Sequence, residues 1–148
     1  MSVPICAVIL VLNDEGMVLV SSRRYSQTQL NLPGGKADPE DGDQAHDLRR
    51  TMLRCAAREL REETSLLVEV EDLELIHCGI CVDQVGREPN AINFTFFARK
   101  VGGTPLAPEG EPPIKWVSWQ DLVEHTPYRA YNRALGLLLP AVATQGVS

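Results

Sequence analysis

The sequence contains no apolar run long enough to cross a bilayer. The longest, Val3 to Leu12, is about half of what a spanning helix needs. That run has no basic segment ahead of it and leads straight into "NDEG", so it reads as a buried strand ending in a turn rather than a signal peptide. Basic residues are the minority charge: 14 Lys and Arg stand against 20 Asp and Glu, giving a net charge of −6. That balance argues against a general binder of nucleic-acid polymers, which would present a basic face. A phosphorylated small molecule whose charge is bridged by metal stays compatible with it. Cysteines number four, and with no export signal they are expected to be reduced thiols of a cytoplasmic protein. Cys78 and Cys81 form a CxxC beside His77, but no second pair follows, and the motif lies inside an apolar strand-like run. Buried thiols are the expectation there, not a zinc or redox centre. Low-complexity tracts and internal repeats are also missing.

What is present fits one globular domain over 1–148, long enough for a proper hydrophobic core. Val3 to Leu12 and Met17 to Ser22 are β-rich runs around "NDEG" and are expected to pair as a hairpin, with Gly16 serving the turn. "LPGGK", Leu32 to Lys36, breaks the pattern, and "ADPEDGD" extends the irregular stretch to Asp43. A helix is predicted from about Asp43, its candidate N-cap, to Thr64, because Leu48, Met52, Ala56 and Leu60 recur at four-residue intervals. Strands are predicted over roughly Leu66 to Val82 and Ala91 to Val101. In the second, Ile92, Phe94 and Phe96 alternate with Asn93, Thr95 and Phe97, as in a half-buried strand. "IKWVSW" reads as a short strand, "QDLVEH" as a helix start, and Tyr128 to Leu139 as a last amphipathic helix. Its end, "LGLLLP", suits either the core or a homodimer contact. Strands interleaved with two or three helices indicate an α/β or α+β domain.

The predicted helix ends in "RELREET", which places Glu59, Glu62 and Glu63 on one arc. Carboxylates so close to a helix C-terminus oppose its dipole. On an exposed surface the repulsion costs only ~0.2–0.5 kcal/mol per pair, so a solvated acidic face is one reading. The glycine pair Gly34–Gly35 ahead of the helix favours another. Glycine lets backbone approach a ligand closely, and hard divalent cations take oxygen ligands, Mg²⁺ keeping waters with one or two carboxylates and substrate phosphates. Arg58 is placed to pair with a neighbouring glutamate and fix its rotamer.

The combination "LPGGK…RELREETSL" resembles the signature of the Nudix hydrolases. That signature runs Gly, five residues, Glu, seven residues, then Arg-Glu-apolar-x-Glu-Glu-x-Gly-apolar. Gly35 would open it, and Arg58, Glu59, Leu60, Glu62, Glu63 and Leu66 match its latter half. "VILVLNDEGMVLVSSRR" resembles the family's first hairpin, and "WVSWQDL" its late strand-to-helix junction. The implied fold is an α/β/α sandwich around a mixed β-sheet, with the catalytic loop and helix at about 33–66. Two departures stand out. Gly35 to Arg58 spans 23 positions against 14 in the pattern, so nine residues are inserted within about 37–50. Eight residues before Arg58, where the pattern has its first Glu, stands Arg50. Asp47 is too distant to substitute, because twelve helical residues span about 18 Å. The insertion itself, folded back, would bring Glu40 or Asp41 over the site. The second departure is Ser65 in place of Gly, where a left-handed cap would cost about 1 kcal/mol.

The resemblance implies metal-dependent hydrolysis of a nucleoside diphosphate linked to another group, with Mg²⁺ or Mn²⁺. It implies Glu59, Glu62, Glu63 and a Gly35 carbonyl as metal ligands, and Glu62, Glu63 and Arg58 as catalytic residues. A loop acid in "PEGEPPIKWVSW" would activate water, and Glu109 fits the MutT-type pattern better than Glu111. Arg24, Lys36 and Asn132 are the expected substrate contacts, although strand-edge cations and helix-start asparagines are often plain solvated groups. Small size and MutT-like flanks point to a (d)NTP, oxidised forms included, cleaved to NMP and pyrophosphate. ADP-ribose or a nucleotide sugar is the alternative. Val82 and Gln84 stand where subgroups for ADP-ribose and diadenosine polyphosphates have Pro and Tyr. Arg50 in place of the first Glu also raises an impaired module that binds nucleotides without turnover.

Overall fold

A computed structural model of the chain describes residues 3–23, 26–82 and 89–139. Among the described residues seven strands form two sheets: β1 (Ile5–Leu10), β2 (Val18–Arg23), β3 (Ser26–Asn31), β4 (Gly34–Lys36), β5 (Leu73–Val82), β6 (Pro89–Ala98) and β7 (Ile114–Val117). The α-helices that accompany them in the described residues are α1 (Leu48–Thr64), α2 (Trp119–His125) and α3 (Arg129–Gly136). The larger sheet is mixed, ordered β4-β1-β6-β5, with β1 and β6 parallel and the other pairs antiparallel. The smaller is antiparallel, ordered β3-β2-β7. Among the described residues no helix is long and apolar enough to cross a membrane.

Two apolar layers fill the space on either side of the larger sheet. Ala7, Ile9, Phe96 and Ala98 meet the α1 stripe of Met52, Cys55, Ala56 and Leu60, all four of which are fully buried. Burying each large aliphatic side chain contributes about 1.5–3 kcal/mol. Leu10, Phe97 and Cys81 point the other way and pack with Val18, Val20, Leu122 and Leu135 from the smaller sheet, α2 and α3. The result is the α/β/α layering that the family resemblance implied.

Four expectations need correcting. The "NDEG" turn forms, with Asn13 N–H bonded to Met17 O at 3.0 Å and Leu12 bridged to Val18, but the strands then diverge into different sheets. A simple hairpin would leave both faces of β1 half covered, whereas the divergence builds the second layer. The helix begins at Leu48, not near Asp43. Asp47 is its N-cap, its carboxylate accepting from Arg50 N–H at 3.0 Å, while Asp43 holds only the preceding turn through Ala45 N–H. The strand expected from Leu66 starts at Leu73, after a single 3₁₀ turn at Val70–Asp72. Finally, Asn93 and Thr95 of β6 are buried rather than solvent-facing, because this central strand is covered on both sides. Thr95 Oγ1 and Tyr131 Oη share a 2.7 Å hydrogen bond that satisfies them there.

Candidate active site

The geometry of the glycine turn explains its sequence. β4 runs antiparallel to β1, with Gly34 opposite Val8 and Gly35 opposite Ala7. A Cβ on Gly34 would lie 2.8 Å from Val8 Cα, and one on Gly35 would lie 2.5 Å from Glu59 Oε1. Gly34 is therefore required by a close approach of backbone, whereas at Gly35 a side chain would displace the helical carboxylate. Gly34 N–H donates to Glu63 Oε2 at 2.7 Å. The turn is thus tied to the last turn of α1 through Glu63, with the Glu59 carboxylate lying against Gly35.

Arg58 ties these acids together. Its Nε and Nη2 grip both oxygens of Asp41 at 2.9 Å each, while Nη1 donates to Glu59 Oε1 and Glu62 Oε2, both at 3.1 Å. Nη2 also donates to Lys36 O at 3.1 Å and lies 3.3 Å from Asp38 Oδ2. Asp41 sits in a single 3₁₀ turn, Pro39–Asp41, and is 3% exposed. Counted forward from Gly35, Asp41 is the sixth residue, the place of the first Glu in the signature. The nine extra residues therefore fall between Asp41 and Arg58, and Arg50 is an exposed residue of the first helical turn. No acid has been replaced by a cation. With it goes the ground for reading the chain as an impaired module.

The charges are set against their surroundings. Burial alone would raise the Asp41 carboxyl, but hydrogen bonds and charge from Arg58, with the Asp38 peptide, hold it below the usual range. The Arg58 guanidinium is pushed up by its Asp41 bonds, against the opposing effect of burial. Glu59 is raised by burial and by Glu62, with Arg58 partly opposing. Glu63 is pushed up to about 8, first by burial, then by the charges of Glu59, Glu111 and Glu62, with only the Gly34 N–H opposing. Among the described residues Glu63 has no cationic partner within 4.0 Å. A half-buried carboxylate crowded by three others is a place where a divalent cation would relieve repulsion. Glu59, Glu62 and Glu63 do not themselves bring three ligand atoms within 4.8 Å of one another; among the described residues only the exposed Asp121, Glu124 and His125 do so, with two carboxylate oxygens and a ring nitrogen. Close convergence is not required of a cation that takes one or two carboxylates with water and phosphate. Gly35 O accepts a weak contact from Cys55 Sγ at 3.6 Å.

A cleft of about 170 Å³ opens beside the glycine turn, lined by Val8, Asn31, Leu32, Tyr128, Tyr131 and Asn132 among others. Asn132 is 5% exposed and donates through Nδ2 to Thr126 Oγ1 at 3.1 Å, so it is a buried cleft residue rather than a solvated helix start. Oδ1 of Asn31 is buried and accepts no hydrogen bond from the described residues. Sequence reasoning missed Asn31; its one signal was a polar residue directly before the apolar-glycine turn. Lys36 is exposed at the end of β4, and Arg24 lies outside the described residues. Glu109 is exposed, while Glu111 is half-buried and its charge reaches Glu63. The CxxC does not assemble: Cys78 is exposed and Cys81 is buried on the opposite face, its thiol pushed up to about 12 by burial. The expectation of buried thiols therefore fails for Cys78.

A family model described as the NUDIX domain matches residues 3–137. The chain belongs to the Nudix family and is a Nudix hydrolase. Its fold is shared by a mutator MutT protein from Bacillus halodurans (20% identity, TM-score 0.67, covering 93% of this chain and 82% of that one). It is also shared by a MutT Nudix hydrolase from Burkholderia pseudomallei (20% identity, TM-score 0.60, covering 82% and 88%). A C. elegans Ap4A hydrolase is similar too, at 15% identity and TM-score 0.61, covering 92% of this chain and 98% of that one. No curated protein matches the chain.

Proposed function

We propose that the protein hydrolyses a nucleoside triphosphate, oxidised forms included, to the nucleoside monophosphate and pyrophosphate, using Mg²⁺ or Mn²⁺ held by Glu59, Glu62 and Glu63 with the Gly35 carbonyl. The observation that carries this reading is the placement of Glu63 and Glu59 against Gly34 and Gly35 at the edge of a cleft that presents Asn31 and Asn132.

When bound, the cation supplies charge neutralisation of the diphosphate and a lowered pKa for the attacking water. The chain supplies position. Arg58, anchored on Asp41, fixes the rotamers of Glu59 and Glu62, and Gly34 N–H fixes Glu63. Lys36, at the end of β4, and Arg24 serve the phosphates. The base enters the cleft, where the Asn31 carbonyl accepts a hydrogen bond and Asn132 reads a second edge position. Tyr128 and Leu32 provide the apolar walls. Of the two loop acids, Glu111 has the better claim as the base that takes the water's proton, since its charge already acts on Glu63, whereas Glu109 is exposed in the turn before it. The chain's small size and its MutT-like flanking segments support the triphosphate over the alternative of ADP-ribose or a nucleotide sugar.

Chromatographic assay of dNTPs, 8-oxo-dGTP, ADP-ribose, nucleotide sugars and dinucleoside polyphosphates with Mg²⁺ tests it. Release of NMP and pyrophosphate, lost in Glu62→Gln/Glu63→Gln, is expected. Turnover of ADP-ribose or a nucleotide sugar in preference to every triphosphate would overturn the substrate assignment.

A further inference from the structure

Away from the cleft, the outer side of α1 and the segment after it form a groove of about 310 Å³. Arg54, Ala57 and Arg61 line it from the helix, and Leu67, Val68 and Val70 from beyond. The surface around it carries both signs of charge. Arg54, Arg61, Glu69 and Glu71 are all exposed. Among the described residues none of these four side chains has an ion-pair partner within 4.0 Å. Two of the most exposed aliphatic side chains stand on the same surface: Leu67 is 58% exposed and Leu106 is 66% exposed. Both flank the turn at Ser65. Leu106 N–H donates to Thr64 O at 2.8 Å, Ser65 Oγ donates to Leu106 O at 2.7 Å, and Leu67 exchanges both backbone hydrogen bonds with Gly102.

An apolar centre with a charged rim is the anatomy of an interface. The signs select its occupant. A strongly acidic partner, nucleic acid included, is attracted by the arginines but repelled by Glu69 and Glu71 beside them. A surface holding both signs is complementary to itself, because a twofold rotation lays the basic row of one copy on the acidic segment of the other. We propose that this face pairs with a second copy of the chain. Arg54 and Arg61 of each copy stand against Glu69 and Glu71 of the other, around Leu67 and Leu106. Exposed ion pairs are individually weak and screened by salt, so the dimer weakens as ionic strength rises.

Sedimentation of the wild-type chain over a micromolar concentration series, in low and high salt, reads the dimer without any substitution. Arg54→Glu/Arg61→Glu and Glu69→Arg/Glu71→Arg test the pairing, with thermal melting as the check that each folds. Either variant alone is expected to dissociate at least about tenfold more readily than the wild type, while an equimolar mixture recovers a dimer. A wild-type chain that stays monomeric at every concentration overturns the proposal. So does a dimer indifferent to both reversals, or two monomeric variants that do not recover association when mixed.

Discussion

Arg58 and Asp41 form a two-pronged ion pair, Nε to Oδ1 and Nη2 to Oδ2, each at 2.9 Å, across 17 residues of sequence. Asp41 is nearly inaccessible and Arg58 is 12% exposed. The pair fixes the guanidinium whose remaining nitrogen holds Glu59 and Glu62. It thereby connects the turn ahead of the insertion, Pro39–Asp41, to α1.

Asp41→Asn removes a charge-assisted partner from a buried guanidinium and is expected to cost about 1–3 kcal/mol. Arg50→Ala touches only an exposed side chain and should stay within about 0.5 kcal/mol. Urea unfolding of the two variants compares them. Equal effects would refute the assignment of Asp41 to the acidic position of the signature.

The two glycines should fail differently. A Cβ on Gly35 meets the movable end of Glu59, whereas one on Gly34 meets Val8 backbone. Gly35→Ala is expected to fold with less than about 1 kcal/mol of loss, yet to lower kcat at least about tenfold because Glu59 is displaced. Gly34→Ala is expected to lower the melting temperature markedly. Steady-state kinetics beside thermal melts separates the two outcomes.

Glu63 makes stability depend on pH in an unusual direction. Its folded-state value of about 8 lies above its ordinary 4.5, so between those limits the folded protein binds more protons than the unfolded chain. Stability then falls as pH rises through that window. Metal-free protein should melt lower at pH near 8 than near 5, and Glu63→Gln should flatten the trend. The opposite contribution of Asp41, whose carboxyl is held low, is lost only at acid pH, below the ordinary carboxylate range. Scanning fluorimetry in chelator across this range tests the sign.

Asn31 presents a buried carbonyl that nothing in the described protein satisfies. Replacing it with an apolar side chain removes that unpaired acceptor, so Asn31→Leu is expected to be neutral or stabilising by up to about 1 kcal/mol. If the carbonyl meets the substrate, the same change raises KM about tenfold or more, the equivalent of about 1.4 kcal/mol. A stabilised variant with unchanged KM would show that the carbonyl does not read the base.

The core of α1 was legible because Met52, Ala56 and Leu60 obey the helical period, and the turn because Gly34 and Gly35 interrupt it. That Glu59, Glu62 and Glu63 share one arc followed from their spacing, whereas their reading as metal ligands came from the glycine pair and the family resemblance. Asp41 was named only beside Glu40, as an acid the insertion would fold back, because distance was counted back from Arg58 to Arg50; the fold shows on which side of Asp41 the extra residues lie. The onset of α1 at Leu48 was hidden because Asp43 and Asp47 are equally good caps in sequence; what separates them is that Asp47 reaches Arg50 N–H. Ser65 does adopt the left-handed cap expected of glycine, at φ 64°. Its hydroxyl bond to Leu106 O, from 41 residues away, offsets part of the cost. Burial of Asn93 and Thr95 depends on the second sheet and on α3, which no local pattern in β6 announces.

Calorimetric titration of Mn²⁺ shows whether the glycine turn and α1 hold a divalent cation through Glu63. Wild type and Glu63→Gln would be compared near pH 7 in buffers of different ionisation enthalpy. Because Glu63 is largely protonated there without metal, the wild type is expected to release protons, up to about one, as the ion binds. The variant should bind at least about tenfold more weakly and release fewer. Equal affinity in the two proteins, with no proton released by either, would contradict the account.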